Sequence, residues 1–338
     1  MKISLKLLCT CLLLVPGFLY LGGCGCGFDC NSDDEGNDNG NPALLTLGLS
    51  DSVPEDLKQV EIKVASITFS RSGAEPVVVE NFTTPGGDTS TFQVDLLDYP
   101  GTDQLVVIKD LELDAGTYSG ISIAIIDDDI NSSFVQESDD TRKEITVANG
   151  VLNLPGITLA PGAQAFTVEF GLAQALQYQA ASGKYLLATT GIRIENNATA
   201  ATLSGGVDST LFNGVSPCNG KTEPTSGNRV YLYQGSGLAN DRLVDVYTSG
   251  STTFPPSTAV KPFAVATLIE NTNTDNWEYT FGYLPAGDYT MAFACDTQSD
   301  DAVQYNGLQI PLPTTQKYNV SLSESDKVVC NLPAADDC

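Results

Sequence analysis

From Leu44 onward the chain is written in short runs with a period of two, and that period limits what it can become. Successive side chains of an extended strand point to opposite faces, so alternating residues bury one face and wet the other. Leu45 to Leu49, Val60 to Val64, Ile67 to Phe69, Phe92 to Leu96, Leu105 to Ile108, Ile121 to Ile126, Ile145 to Val147 and Phe166 to Phe170 follow this rule. β-branched and aromatic residues fill the runs, and Gly, Pro, Asn and Asp separate them, as in antiparallel sheets. A second series begins near Ala201, with Arg229 to Tyr233, Phe263 to Ile269, Trp277 to Phe281, Tyr289 to Ala294 and Tyr318 to Leu322. Only Gly171 to Ala181 has a helical texture. The expected fold is all-β: two antiparallel β-sandwich domains in tandem, residues 44–198 and 199–338, joined near Glu195 to Thr199.

What precedes them is an address. Lys2 and Lys6 form a short positive region, and Leu7 to Leu21 is almost wholly apolar. That core suits a signal peptide and is shorter than the ~20 residues of a membrane-spanning helix. Leu21-Gly22-Gly23-Cys24 follows, an aliphatic residue, two small ones and a thiol. It resembles the bacterial lipobox. The resemblance implies a signal peptide over 1–23, cleavage before Cys24, lipid on the Cys24 sulfur, and lipoprotein processing and sorting machinery as partners. Gly25 stands where inner-membrane retention uses aspartate, so the implied address is the outer membrane of the cell envelope, periplasmic or surface-exposed. Residues 24–43 read as a flexible tether, because Asn31 to Pro42 is acidic, polar and free of apolar side chains.

Charge removes whole function classes. The chain has 16 basic and 42 acidic residues, a formal −26. Such a surface repels phosphate backbones and anionic headgroups, so nucleic acid is not an expected partner and membrane affinity must come from lipid. There is no histidine. Ser–His–Asp and Cys–His catalysis and histidine metal ligation are therefore excluded. No Gly-x-Ser-x-Gly elbow and no phosphate-binding glycine loop is present.

Six cysteines remain beyond Cys24 in the exported part: Cys26, Cys30, Cys218, Cys295, Cys330 and Cys338. An even number in an exported chain points to disulfides, with the last four cross-linking the second domain in one of three pairings. Asp127-Asp128-Asp129 ends an apolar strand and is a candidate calcium site, although the ligand spacing of a calcium loop is missing. No other cofactor is expected.

One element occurs twice. Leu113-Asp114-Ala115-Gly116-Thr117-Tyr118-Ser119 matches Leu284-Pro285-Ala286-Gly287-Asp288-Tyr289-Thr290. Glycine permits the turn, and the tyrosine starts a strand with its hydroxyl free to bond back near that turn. This predicts a sandwich corner used in both halves.

With Leu45 to Pro54, Val60 to Val64, Leu111 to Ile121, Phe166 to Leu172 and Tyr185 to Ile194, the first half resembles domain of unknown function 4382, a family of bacterial lipoprotein domains. The resemblance covers about residues 44 to 197 and implies no activity. Leu203 to Val207 and Tyr279 to Met291 make the second half resemble transthyretin-like sandwiches related to carboxypeptidase regulatory domains. Such modules imply accessory, adhesive or spacer roles, and the cysteines and the insertion around Cys218 to Asn228 depart from them.

The expected function is binding, adhesion or scaffolding by a lipid-anchored envelope protein, with an envelope glycan or protein as ligand and no catalysis. An envelope glycan hydrolase acting through paired carboxylates is the alternative. A purely structural envelope component is a third.

Overall fold

The first half closes two sheets over one core. In the computed structural model, which describes residues 42–52, 57–213, 216–271 and 276–338, one sheet has the strand order Ile192–Asn196, Gly162–Gly171, Ala43–Ser52, Leu105–Leu113. The facing sheet runs Val151–Leu159, Gly116–Ile125, Leu57–Ser70, Phe134–Glu137, Arg142–Thr146, Lys184–Leu187, Leu176–Gln179. Leu45, Leu47, Leu49, Val60, Ile62, Val64, Ile67, Phe69, Ile121 and Ile123 all lie in the buried cluster between them. Val60 to Val64 and Ile67 to Phe69, which read as separate runs, are a single 14-residue strand, Leu57–Ser70. The ladder with Gly116–Ile125 shifts register between Val64 and Ser66. A bulge there turns the alternation over by one residue, so even-numbered residues face the core before it and odd-numbered ones after it.

The second half repeats the plan. One sheet runs Ile269–Asn271, Asn276–Leu284, Ala201–Val207, Lys327–Val329, and the other Ala264–Thr267, Arg229–Gln234, Gly287–Ala294, Lys317–Leu322. Leu203, Val230, Leu232, Phe281, Met291, Phe293 and Val320 fill the space between. Tyr231, Tyr233, Leu243, Val246, Val265 and Ile310 form another cluster on the opposite face of the second sheet. Covered on both faces, its central strands read as nearly continuous apolar runs rather than alternations. The protein is thus all-β, two sandwiches in tandem, and both fall within one compact unit.

Two features differ from the expected plan. Antiparallel pairing is not universal: Ala43–Ser52 pairs parallel with Gly162–Gly171, and Ala201–Val207 pairs parallel with Lys327–Val329. Each sandwich therefore tucks its opening strand between an antiparallel neighbour and a late parallel one. The helical segment is only one turn, Leu172–Ala175. Leu176–Gln179 then leaves it to pair with Lys184–Leu187, because strand pairing satisfies its backbone groups over a longer stretch than a capless helix would.

The repeated corner is real. In each half it carries the chain from one sheet to the facing one, from Leu105–Leu113 to Gly116–Ile125 and from Asn276–Leu284 to Gly287–Ala294. The Tyr118 hydroxyl donates to the Asp114 carbonyl at 3.2 Å, and the Tyr289 hydroxyl to the Pro285 carbonyl at 2.7 Å. Both bonds span four residues and tie the strand start to the turn before it.

Candidate functional site

One group of buried charges lies where the two sandwiches meet. The opening strand ends in Ser50, Asp51 and Ser52, with Ser50 and Asp51 fully buried. Register places Ser50 beside Glu169 and Glu169 beside Arg193 on the next strand. Arg193 approaches Glu169 at 3.7 Å. Its Nε donates to the Tyr283 carbonyl at 3.1 Å and its Nη2 to the Gly282 carbonyl at 2.9 Å, both in the second sandwich. The Tyr283 hydroxyl donates back to the Thr102 carbonyl at 2.8 Å. Ser52 Oγ donates to the Val265 carbonyl at 2.7 Å, and Gln174 Nε2 to the Pro262 carbonyl at 2.9 Å. A Cβ on Gly282 would stand 1.9 Å from the Gly101 carbonyl oxygen. Only glycine lets the two backbones approach this closely.

Burial dominates the electrostatics. Desolvation pushes the Glu169 carboxyl up to about 7, against the opposing pull of Arg193. Asp51 is raised well above the ordinary carboxylate range by burial and then by the charge of Glu169. Among the described residues neither Asp51 oxygen meets full hydrogen-bond geometry, and the nearby backbone N–H groups of Ser52 and Leu172 only partly offset its burial. A neutral acid is the form such a position tolerates. Glu169 thus makes stability depend on pH. A group that binds its proton more tightly when folded stabilises fully below its unfolded pKa of 4.5, and the benefit fades as pH rises through about 7. The difference is about 3 kcal/mol. Urea titrations at pH 4.5 and pH 8 should show the higher midpoint in acid, and Glu169→Gln should flatten that difference.

A cavity of about 310 Å³ opens beside this junction, lined by Ser52, Gly101, Thr102, Thr267, Ile269 and Glu278 among others. Its wall mixes hydroxyls, backbone and apolar surface, which suits a small polar ligand or a side chain. A second pair of buried acids lies in the other sandwich. Asp300 accepts from the Tyr231 hydroxyl and the Val246 N–H, and meets Arg229 at 3.1 Å. Asp245 accepts from the N–H groups of Asn306 and Leu308. Burial pushes Asp245 up to about 6. These oxygens are all committed to clasping loops, an arrangement that holds structure and offers no free acid and base to a substrate.

The candidate calcium residues are turned to separate partners. Asp127 accepts from the Val147 N–H at 2.7 Å, Asp128 pairs with Lys184 at 2.9 Å, and Asp129 binds Asn131 and Ser132. Among the described residues no group of three acidic or cysteine side chains converges as a metal site. The cysteines pair as Cys218–Cys295 and Cys330–Cys338. Cys24, Cys26 and Cys30 lie outside the described residues. Tyr231 and Tyr233 are fully buried and offer no ring face to a sugar. Trp277 packs edge-on against Phe212 at 5.7 Å. Sequence reasoning passed over Ser50, Asp51, Glu169 and Arg193. A glutamate inside the apolar run Phe166 to Phe170 was the one signal available.

Among the described residues no helix is long and apolar enough to cross a membrane. No curated protein sequence matches the chain. Among solved structures the chain is similar to a leucine-rich repeat protein of Bacteroides thetaiotaomicron VPI-5482, 12% identical over 88% of this chain and 26% of that one, TM-score 0.17. This chain therefore spans about a quarter of that protein. A candidate cell adhesion protein of Bacteroides fragilis NCTC 9343 is 10% identical over 87% of this chain and 92% of its own, TM-score 0.22. The major pilin subunit of Bacillus cereus is 10% identical over 86% and 70%, TM-score 0.19. Residues 42–189, the bulk of the first sandwich, match the family described as Domain of unknown function (DUF4382), and that description names no activity.

Proposed function

We propose that this chain is a lipid-anchored envelope protein, held at the outer membrane through Cys24, whose paired sandwiches bind or adhere and do not catalyse. The observation that carries this reading is the junction. Arg193, Tyr283, Ser52 and Gln174 bond across it, so the sandwiches present their loops in a fixed relation. Rigid display lowers the ordering cost of binding. The buried carboxylates serve that rigidity: Glu169 holds Arg193, and Asp245 and Asp300 hold loops. The lipobox-like Leu21-Gly22-Gly23-Cys24 supports the anchor, since several acyl chains hold a protein firmly where one does not.

Cys24→Ala is the direct test. Metabolic labelling with a fatty acid should mark the parent and leave the variant unlabelled. Fractionation should move the variant from the membrane pellet to the soluble fraction. An unlabelled parent, or a variant that stays in the pellet, would overturn the anchor.

A further inference from the structure

We infer that the loops of the second sandwich carry a binding surface for uncharged glycans, centred on Tyr247, Phe254 and Tyr305. This rests on the binding role proposed above and names its ligand class. Phe254 is 60% exposed, and Tyr247 packs edge-on against it at 6.3 Å and against Tyr305 at 5.9 Å. Lys261 sits 3.9 Å over the Tyr247 ring, fixing it from the other side. Tyr247 and Tyr305 are half-buried and back the exposed Phe254 ring, and an apolar ring left outside on such a support marks a contact surface.

The loops beneath are held stiffly. Buried Ser251 accepts from the Tyr305 N–H at 2.9 Å and donates to the Thr253 carbonyl. Thr252 donates twice to Gln304 Oε1, from its N–H at 2.9 Å and its hydroxyl at 3.0 Å. Thr253 Oγ1 donates to the Tyr305 carbonyl at 2.9 Å, and Asp301 accepts from the Val303 and Gln304 N–H groups. Asp245 secures the next turn through the Leu308 N–H at 2.7 Å. Rings mounted on such a frame lose little freedom when they meet a ligand.

Charge selects the occupant. Residues 248–260 carry no charged side chain in a chain with a formal −26, the hydroxyls of Ser249, Ser257 and Thr258 are exposed there, and the neighbouring Lys261 is taken up by the Tyr247 ring and carbonyl. A polyanion would be repelled by the acidic body, and a cationic partner would find its complement on the acidic surface elsewhere. Apolar ring faces beside neutral hydroxyls match the C–H faces and hydroxyls of a neutral sugar.

The test is native affinity electrophoresis of the detergent-solubilised full-length protein through gels containing dextran, mannan, laminarin or galactan, with alginate as the polyanion. At least one neutral polysaccharide should retard the protein, and Phe254→Ala should weaken that apparent affinity tenfold or more while leaving the melting temperature unchanged. Tyr305→Ala should act in the same direction. No retardation by any neutral polysaccharide, retardation by alginate alone, or retardation that survives Phe254→Ala would overturn the assignment. The Cys24→Ala result is independent of these gels, so a failed glycan assignment leaves the anchor standing and a failed anchor leaves the glycan surface standing.

Discussion

Replacing both Cys218 and Cys295 with alanine should destabilise the second sandwich by about 4 to 5 kcal/mol. The bond closes a loop of 77 residues, and cross-linking a long loop removes much of the freedom of the unfolded chain. Both cysteines are buried, Cys218 in the short turn Cys218–Gly220 and Cys295 directly after the strand Gly287–Ala294. The bridge holds the insertion around Cys218 to Asn228 against the sheet. That insertion is otherwise pinned by polar bonds, with Lys221 donating to the Ser226 carbonyl and Asn228 donating to the carbonyls of Pro224 and Thr225. Cys330–Cys338 gives the contrast, since it spans only eight residues and its removal should cost about 2 to 3 kcal/mol. Denaturant unfolding of the two double variants beside the parent measures both. Equal losses would mean that local packing, not loop closure, sets the contribution. With thiols alkylated before and after reduction, the unfolded parent should take up new label at all four positions only after reduction.

Much of the architecture was legible because it is local. Period two named the strands, and the Gly-Thr-Tyr and Gly-Asp-Tyr corners named the places where the chain changes sheet, down to the returning tyrosine hydroxyl. What escaped was non-local. Parallel pairing of Ala43–Ser52 with Gly162–Gly171 joins segments more than a hundred residues apart, and alternation is the same for parallel and antiparallel neighbours. The helix expected over Gly171 to Ala181 forms, but its stop after Ala175 escaped for a related reason: Leu176 and Gln177 have helical company in sequence but strand partners in space. Burial also changed the meaning of residues. Tyr231 and Tyr233 alternate with Val230 and Leu232 yet are equally buried, because loops cover the outer face of their sheet. Phe254 sits in a turn-rich segment with no period, so no pattern singled it out, and only the fold shows that its ring is left outside. Asp51 and Glu169 were two acids among 42. Their weight comes from strands that seal them beneath a second sandwich.

Arg193→Ala should cost about 3 to 5 kcal/mol at pH 8, because it leaves a buried carboxylate without its cation. The guanidinium is well placed to do this work. It is mostly covered, it lies 3.7 Å from Glu169, and it donates to two carbonyls of the facing sandwich that would otherwise lose their partners. The loss should shrink in acid, since Glu169 titrates near 7 even with Arg193 present and can then be buried neutral. A stability difference that is large at pH 8 and small at pH 5 separates lost charge pairing from lost packing, which does not titrate. Glu169→Gln in the Arg193→Ala background supplies the second check. Once the buried carboxylate is gone, removing the arginine should cost only the two carbonyl bonds, about 1 to 3 kcal/mol, independent of pH. Gly282→Ala reaches the same junction by shape alone. Its new methyl would meet the Gly101 carbonyl oxygen, and the two backbones would have to part. If the junction makes the sandwiches unfold together, the parent should show one thermal transition, and both Arg193→Ala at pH 8 and Gly282→Ala should split it into two. A parent that already melts in two steps would show that the junction does not couple them.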